Sequence, residues 1–201
     1  MCRYSIGALF YILNQKNETV TLLGPNANAT VFSYKRTTGI FNAYYDYSVA
    51  QYGYTSQFDW ARSQWSGISS KESIGKSSKQ DKTTDMYFVD NIATSGVYGQ
   101  VINYKNGGSN TVDPNVGNWD YSVVILYDNN LASDGLKNDT NIKNSALHEV
   151  GHSLALAHTN ISNSTERASS VMTAGTDTFK NRNITSPSTY DKGELKYKCG
   201  N

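Results

Sequence analysis

His148-Glu149-Val150-Gly151-His152-Ser153-Leu154-Ala155-Leu156-Ala157-His158 holds every histidine of this 201-residue chain. On a helix, His148 and His152 stand about 40° apart on one face. Glu149 lies about 100° round from His148, within reach of whatever the two imidazoles hold. This is the H-E-x-x-H pattern: two histidines for zinc and a glutamate as general base. A catalytic zinc takes three protein ligands and keeps one position for water, and His158 is the only histidine left to be the third. On an unbroken helix His158 would sit about 15 Å further along the axis and point away. The chain must therefore leave the helix at about Leu154–Ala157 and fold back. With three neutral imidazoles on the metal, the water's pKa falls towards neutrality and a scissile carbonyl is polarised. Glu149 then takes the water's proton and passes it to the leaving amine. The expected reaction is amide hydrolysis without a covalent intermediate.

Outward from this stretch, Asn141 and Asn144 are candidate N-caps for the motif helix, with Leu147, Val150 and Leu154 as its buried face. Upstream, Tyr121–Tyr127 is β-branched and apolar on both faces, which predicts a central strand. It ends in the turn cluster Asp128-Asn129-Asn130. Further strands are expected at Ile40–Tyr47, Lys71–Ser77, Asp85–Asp90 and Gly96–Tyr104, with turns at Lys105–Ser109 and Asp113–Gly117. Phe58, Ala61, Trp65 and Ile68 recur at helical spacing, which predicts one helix over Val49–Trp65 with Trp60 and Trp65 as core anchors. Downstream, Ser169–Gly175 places an apolar pair in a polar turn. Ser186 as cap and Pro187 at the first helical position open a final helix through Leu195. Residues 1–33 read as a leader or pro-segment remnant, and 34–201 as the catalytic domain. Strands and helices in this order indicate an α+β, α/β-like layout around a twisted sheet.

Composition narrows the partners. The formal net charge is +1, so no long-range field points to nucleic acid or an anionic membrane. The Ile6–Leu13 run is too short to span a bilayer and lacks the features of a signal peptide. Low charge, 17%, with abundant Asn, Ser, Thr, Gly and Tyr resembles a secreted protein. The chain is therefore expected to be a mature or truncated form of an exported, extracellular or cell-surface protein. Cys2 and Cys199 stand at opposite ends; they either pair or serve separately, and spacing does not choose. N-x-S/T sequons begin at Asn17, Asn28, Asn138, Asn160, Asn163 and Asn183, several of them expected by chance in so Asn-rich a chain.

His148–His158 resembles the H-E-x-x-H-x-x-G-x-x-H motif of the metzincin zinc proteases. Ser170-Val171-Met172-Thr173 resembles their Met-turn, in which a methionine, here Met172, packs beneath the metal-binding imidazoles. Spacing, strand order and Tyr190-Asp191-Lys192-Gly193-Glu194-Leu195 are most similar to the matrixin branch, especially small bacterial matrixin-type peptidases. The resemblance covers Tyr34 to the C-terminus. It implies a twisted, mostly parallel five-stranded sheet with an antiparallel edge strand, and three helices. It also implies a monomeric secreted endopeptidase with one catalytic zinc on His148, His152 and His158 and Glu149 as general base. Protein substrates, of the extracellular-matrix kind among others, would add as an extended strand to a rim at about Tyr98–Asn103.

There are three departures from the pattern. Ala155 stands where the family carries glycine, which costs on the order of 1 kcal/mol or more if that position needs φ > 0. Thr173, not a tyrosine-bearing segment, follows Met172, so the extra tyrosine ligand of astacin-like relatives is absent locally. No histidine remains for a second zinc, and no cysteine-switch motif precedes the domain. Calcium at Asp128–Asn130 or Asp113 is a secondary expectation. A second class of function, a zinc-stabilised binding or adhesion module without activity, keeps the same ligands and has no need of Glu149.

Overall fold

A strand such as Tyr121–Tyr127, apolar on successive residues, is stable only with both faces covered. The computed structural model describes residues 30–108, 110–159, 164–174 and 183–200. In it the strands are β1 (Ile40–Tyr45), β2 (Ser73–Ser77), β3 (Asp85–Asp90), β4 (Gly99–Lys105), β5 (Asn110–Val112) and β6 (Tyr121–Tyr127). They form one sheet in the order β2-β1-β3-β6-β4-β5, with β6 in its interior. The β1–β2, β1–β3 and β3–β6 pairs are parallel. β4 runs antiparallel to both β6 and β5. The helices are α1 (Tyr47–Gln51), α2 (Thr55–Trp65), α3 (Asp128–Ser133), α4 (Asp139–Ser153), α5 (Ser164–Ser169) and α6 (Thr189–Cys199).

This corrects the expected five-stranded, mostly parallel sheet with three helices: the described residues form a six-stranded mixed sheet with six helices. The added elements are short and lack periodicity. β5 is three residues of polar character beyond the Asn106–Gly108 turn. α3 begins at Asp128-Asn129-Asn130, whose composition reads as a turn, and is anchored by buried Leu131. The helix expected over Val49–Trp65 is two, because Gly53 takes φ 81° between them.

Trp65 is fully buried and its ring N–H donates to Leu147 O at 2.9 Å, locking α2 to α4. Trp60 is not a core anchor: it is 36% exposed and donates to Thr185 O. α4 starts earlier than expected, with Asn138 as N-cap accepting from Asn141 N. α6 is capped by Ser188 rather than Ser186, in a reciprocal box with Asp191. Among the described residues no helix is long and apolar enough to cross a membrane.

Most of the segment read as a leader lies outside the described residues, as does Cys2. Its last part is tied down. Val31 bridges Leu156, Phe32 N donates to Ala155 O, and Thr30 N donates to the Glu194 carboxylate at 2.6 Å.

Asp85 and Glu72 are among the buried carboxylates of the fold. Asp85 is paired with Arg36, whose guanidinium also covers the Phe41 ring at 3.6 Å. Glu72 is 2% exposed, and neither carboxylate oxygen has a hydrogen-bond partner among the described residues. It lines a cavity of about 190 Å³ together with Arg36, Phe41, Lys71, Leu154 and Cys199. Burial pushes its pKa up to about 8.

Candidate metal centre

α4 ends where the third histidine requires it to. Ser153 is the last helical residue and Leu154 the C-cap. Ala155 N donates to His152 O at 3.0 Å and Leu156 N to Gly151 O at 3.1 Å. These two bonds make a Schellman turn, in which the residue after the cap adopts the left-handed conformation. That residue is Ala155, at φ 73°. Its Cβ makes this unfavourable by about 1–2 kcal/mol, and the turn is held by the bridge from Val31 and the Phe32 N–Ala155 O bond. Ala155→Gly is therefore expected to stabilise the protein by about 0.5–1 kcal/mol, the relief of strain less the extra chain entropy of glycine. Urea unfolding of the two proteins measures it; an unchanged or lowered midpoint contradicts a left-handed turn here.

The turn returns the chain so that the Nε2 atoms of His148, His152 and His158 converge. They stand 3.1 Å (148–152), 3.2 Å (152–158) and 3.2 Å (148–158) apart. The tautomers follow from the outer partners. His148 Nδ1 is 2.8 Å from Val171 O, and His152 Nδ1 is 2.8 Å from Leu156 O. A carbonyl only accepts, so both Nδ1 atoms carry the proton and both Nε2 lone pairs face inward. Burial and the two neighbouring imidazoles hold His152 well below the usual histidine range, and desolvation lowers His158. The neutral forms are those a metal binds.

The donor set fits a metal ion. Three imidazole nitrogens meet at one point, and the two inward lone pairs of His148 and His152 repel unless a cation or a proton lies between them. Nitrogens about 2.0–2.1 Å from one tetrahedral zinc stand about 3.3 Å apart, close to the spacing found here. These three histidines are the one group of metal-ligand type that meets at a common point among the described residues. The cluster is a candidate metal-binding site.

The surroundings fix the rings. Asp191, at the start of α6, accepts from Ser170 Oγ at 2.6 Å and Val171 N at 3.0 Å. It thereby sets the carbonyl that orients His148. Thr159 N donates to Met172 O at 2.9 Å, joining the His158 segment to the same loop. Met172 is buried against α4: a Cβ at Gly151 would lie 2.5 Å from its sulfur and 3.0 Å from the Trp65 ring. Glu149, next to His148 on α4, lies against Gly99 of β4. It is 8% exposed, and burial pushes it up to about 8.

The structure thus brings His148, His152 and His158 together, with Glu149 on the same helix and Met172 packed against it. Asp191, Gly99 and the carbonyls of Val171 and Leu156 were not singled out by the sequence reading. Only Asp191 had a signal, the Ser188-x-x-Asp191 capping pattern. At the loops where calcium was expected, Asp128 already accepts from Tyr54 Oη at 2.7 Å and is paired with Lys137 at 2.8 Å. Asp113 accepts from Asn115 N.

No protein-family model matches the sequence, and no curated protein matches it. Solved structures do. The chain is similar to myroilysin, at 14% identity over 86% of this chain and 98% of that one, with a TM-score of 0.49. It is similar to a chain of the ECX AB5 holotoxin in its GM1-bound form, at 15% identity over 84% of this chain and 85% of that one, with a TM-score of 0.51. The second likeness is one of fold. Neither carries the assignment to the matrixin branch.

Proposed function

We propose that the chain is a zinc-dependent endopeptidase of matrixin-like type, secreted, monomeric and acting on extended protein segments, with residues 34–201 as its catalytic domain. The observation that supports this best is the convergence of three Nε2 atoms, with a buried glutamate on the helix that carries two of them. His148, His152 and His158 would hold the zinc. Bound there, the ion supplies Lewis-acid chemistry, polarising a carbonyl and acidifying water. The Val171 and Leu156 carbonyls keep the His148 and His152 rings in the tautomer that binds metal, so no proton has to move before binding. Glu149 accepts the proton of the attacking water and delivers it to the leaving nitrogen, so that water adds across the amide and the C–N bond breaks. Met172 packs behind the ligand helix.

The rim assignment draws on register. Tyr127 N donates to Tyr98 O, and pairing continues from Gly99↔Leu126 to Tyr104↔Tyr121. Alternation along an antiparallel ladder turns the backbone groups of Gly99 and Val101 away from β6. β5 pairs only with Asn103–Lys105, so an extended peptide can add beside Gly99–Ile102.

The test is metal analysis together with cleavage of a broad peptide library, casein and gelatin, with and without a zinc chelator. Stoichiometric zinc and cleavage that stops on chelation and returns with zinc support the reading. Zinc binding with no cleavage of any peptide replaces it with a zinc-stabilised binding module.

A further inference from the structure

We propose that Gly99 is the positioning residue for the general base, holding the Glu149 carboxylate in place by offering it bare backbone. The inference rests on the hydrolase reading and adds a residue that neither motif nor spacing points to. Glycine inside a strand weakens it, and is kept where another group must approach closely. At Gly99 that group is Glu149. A Cβ built there would lie 2.5 Å from Glu149 Cγ, 2.8 Å from Cδ and 2.7 Å from Oε1, all below the 3.0 Å that real Cβ contacts keep. Gly99 is not in the left-handed region, so its backbone is open to any residue and the constraint is one of space alone.

Of the parts in contact, the carboxylate is the one that can yield. β4 is held to β6 over the whole of Gly99–Tyr104, and the Tyr127 N–Tyr98 O bond pins the residue before it. α4 is held by buried Leu147 and Val150 and by the Trp65 N–H bond to Leu147 O. The Glu149 side chain has rotatable bonds and no comparable clamp. The neighbouring wall is also fixed: Tyr127 donates to Gln100 Oε1 at 2.8 Å, and its phenol lies within the field of Glu149. A methyl group at position 99 therefore leaves the fold and the three imidazoles where they are and displaces the base.

The experiment is Gly99→Ala, alone and combined with Glu149→Asp. Displacing a catalytic group by about 1 Å costs about 10²-fold in rate. Gly99→Ala is expected to lower kcat by about that factor, with zinc content and the thermal midpoint close to wild type. Aspartate is one methylene shorter and makes room for the methyl group. In the Gly99→Ala background, Glu149→Asp should therefore raise kcat, whereas in the wild-type background it lowers it. A crystal structure of Gly99→Ala gives a readout independent of turnover: a shifted Glu149 carboxylate over unmoved β4 and α4. Wild-type kcat in Gly99→Ala overturns the inference. So does a loss that follows lost zinc or a fallen midpoint, or a crystal structure in which β4 moves and Glu149 stays. A wild-type protein that cleaves nothing defeats the hydrolase reading instead, and the crystal structure still decides whether Gly99 places the carboxylate.

Discussion

Glu149→Gln is expected to lower kcat by about 10²–10⁴-fold, the usual contribution of a positioned general base, while zinc stoichiometry stays at that of wild type. The amide has the size and shape of the carboxylate, so it fills the same space against Gly99. The His148 and His152 rings are oriented by main-chain carbonyls and not by Glu149, so the metal site keeps its form. What is lost is the ability to accept a proton. Initial rates on a cleavable peptide, with metal analysis on the same samples, measure both quantities. A Gln variant that cuts as fast as wild type would falsify the role given to Glu149.

The second large effect is on stability and concerns Glu72, the buried carboxylate that lines the cavity with Arg36 and Leu154. Burial raises its pKa from the ordinary 4.5 to about 8. Below pH 4.5 the folded and unfolded chains both hold this proton, and the group contributes no pH dependence. Between pH 4.5 and 8 the unfolded chain releases it and the folded chain keeps it. Stability then falls as pH rises, by up to about 1.4 kcal/mol per pH unit from this one group. Above pH 8 both forms are ionised and the fall ends. Relaxation of the buried site around the ionised group reduces the total to about 3 kcal/mol. Glutamine carries no proton to lose. The stability of Glu72→Gln minus that of wild type should therefore grow from near zero at pH 5 to about 3 kcal/mol at pH 8.5, read from urea unfolding at each pH. Taking the difference cancels every other titrating group. A difference that does not change with pH sinks the assignment.

The site was more legible in the sequence than the fold that carries it. His148, His152 and His158 announce themselves because ligand chemistry restricts residue type and helical spacing restricts position. The demand that the helix stop at Leu154–Ala157 was likewise a matter of geometry, and it is met by the turn at Ala155. Long buried strands such as Tyr121–Tyr127 carry an apolar signal that short polar elements do not. β5, α3 and α5 are stabilised by neighbours rather than by their own patterning, and nothing local marks them. The break at Gly53 was hidden because the apolar spacing of Phe58, Ala61 and Trp65 continues smoothly from the preceding turn. Trp60 shows the opposite error. A tryptophan next to a buried face reads as core, yet it lies over the outer side of α2, with Lys143 against its ring. The supporting carbonyls of Val171 and Leu156 could not be read at all, since every residue has one and only the folded path selects which faces a ring.

All three imidazoles come from a single stretch of 11 residues, and that compactness sets how the centre would empty and refill. Chain entropy lost on closing a loop grows with its length, so gathering these ligands costs little and demands little of the distant sheet. The remote ties include the Val171 carbonyl, 23 residues from His148, the Thr159 N–Met172 O bond and the Phe32 N–Ala155 O bond. An ion held by these ligands would therefore enter and leave at one helix terminus and its turn, with the sheet and the buried face of α4 as the template for reloading.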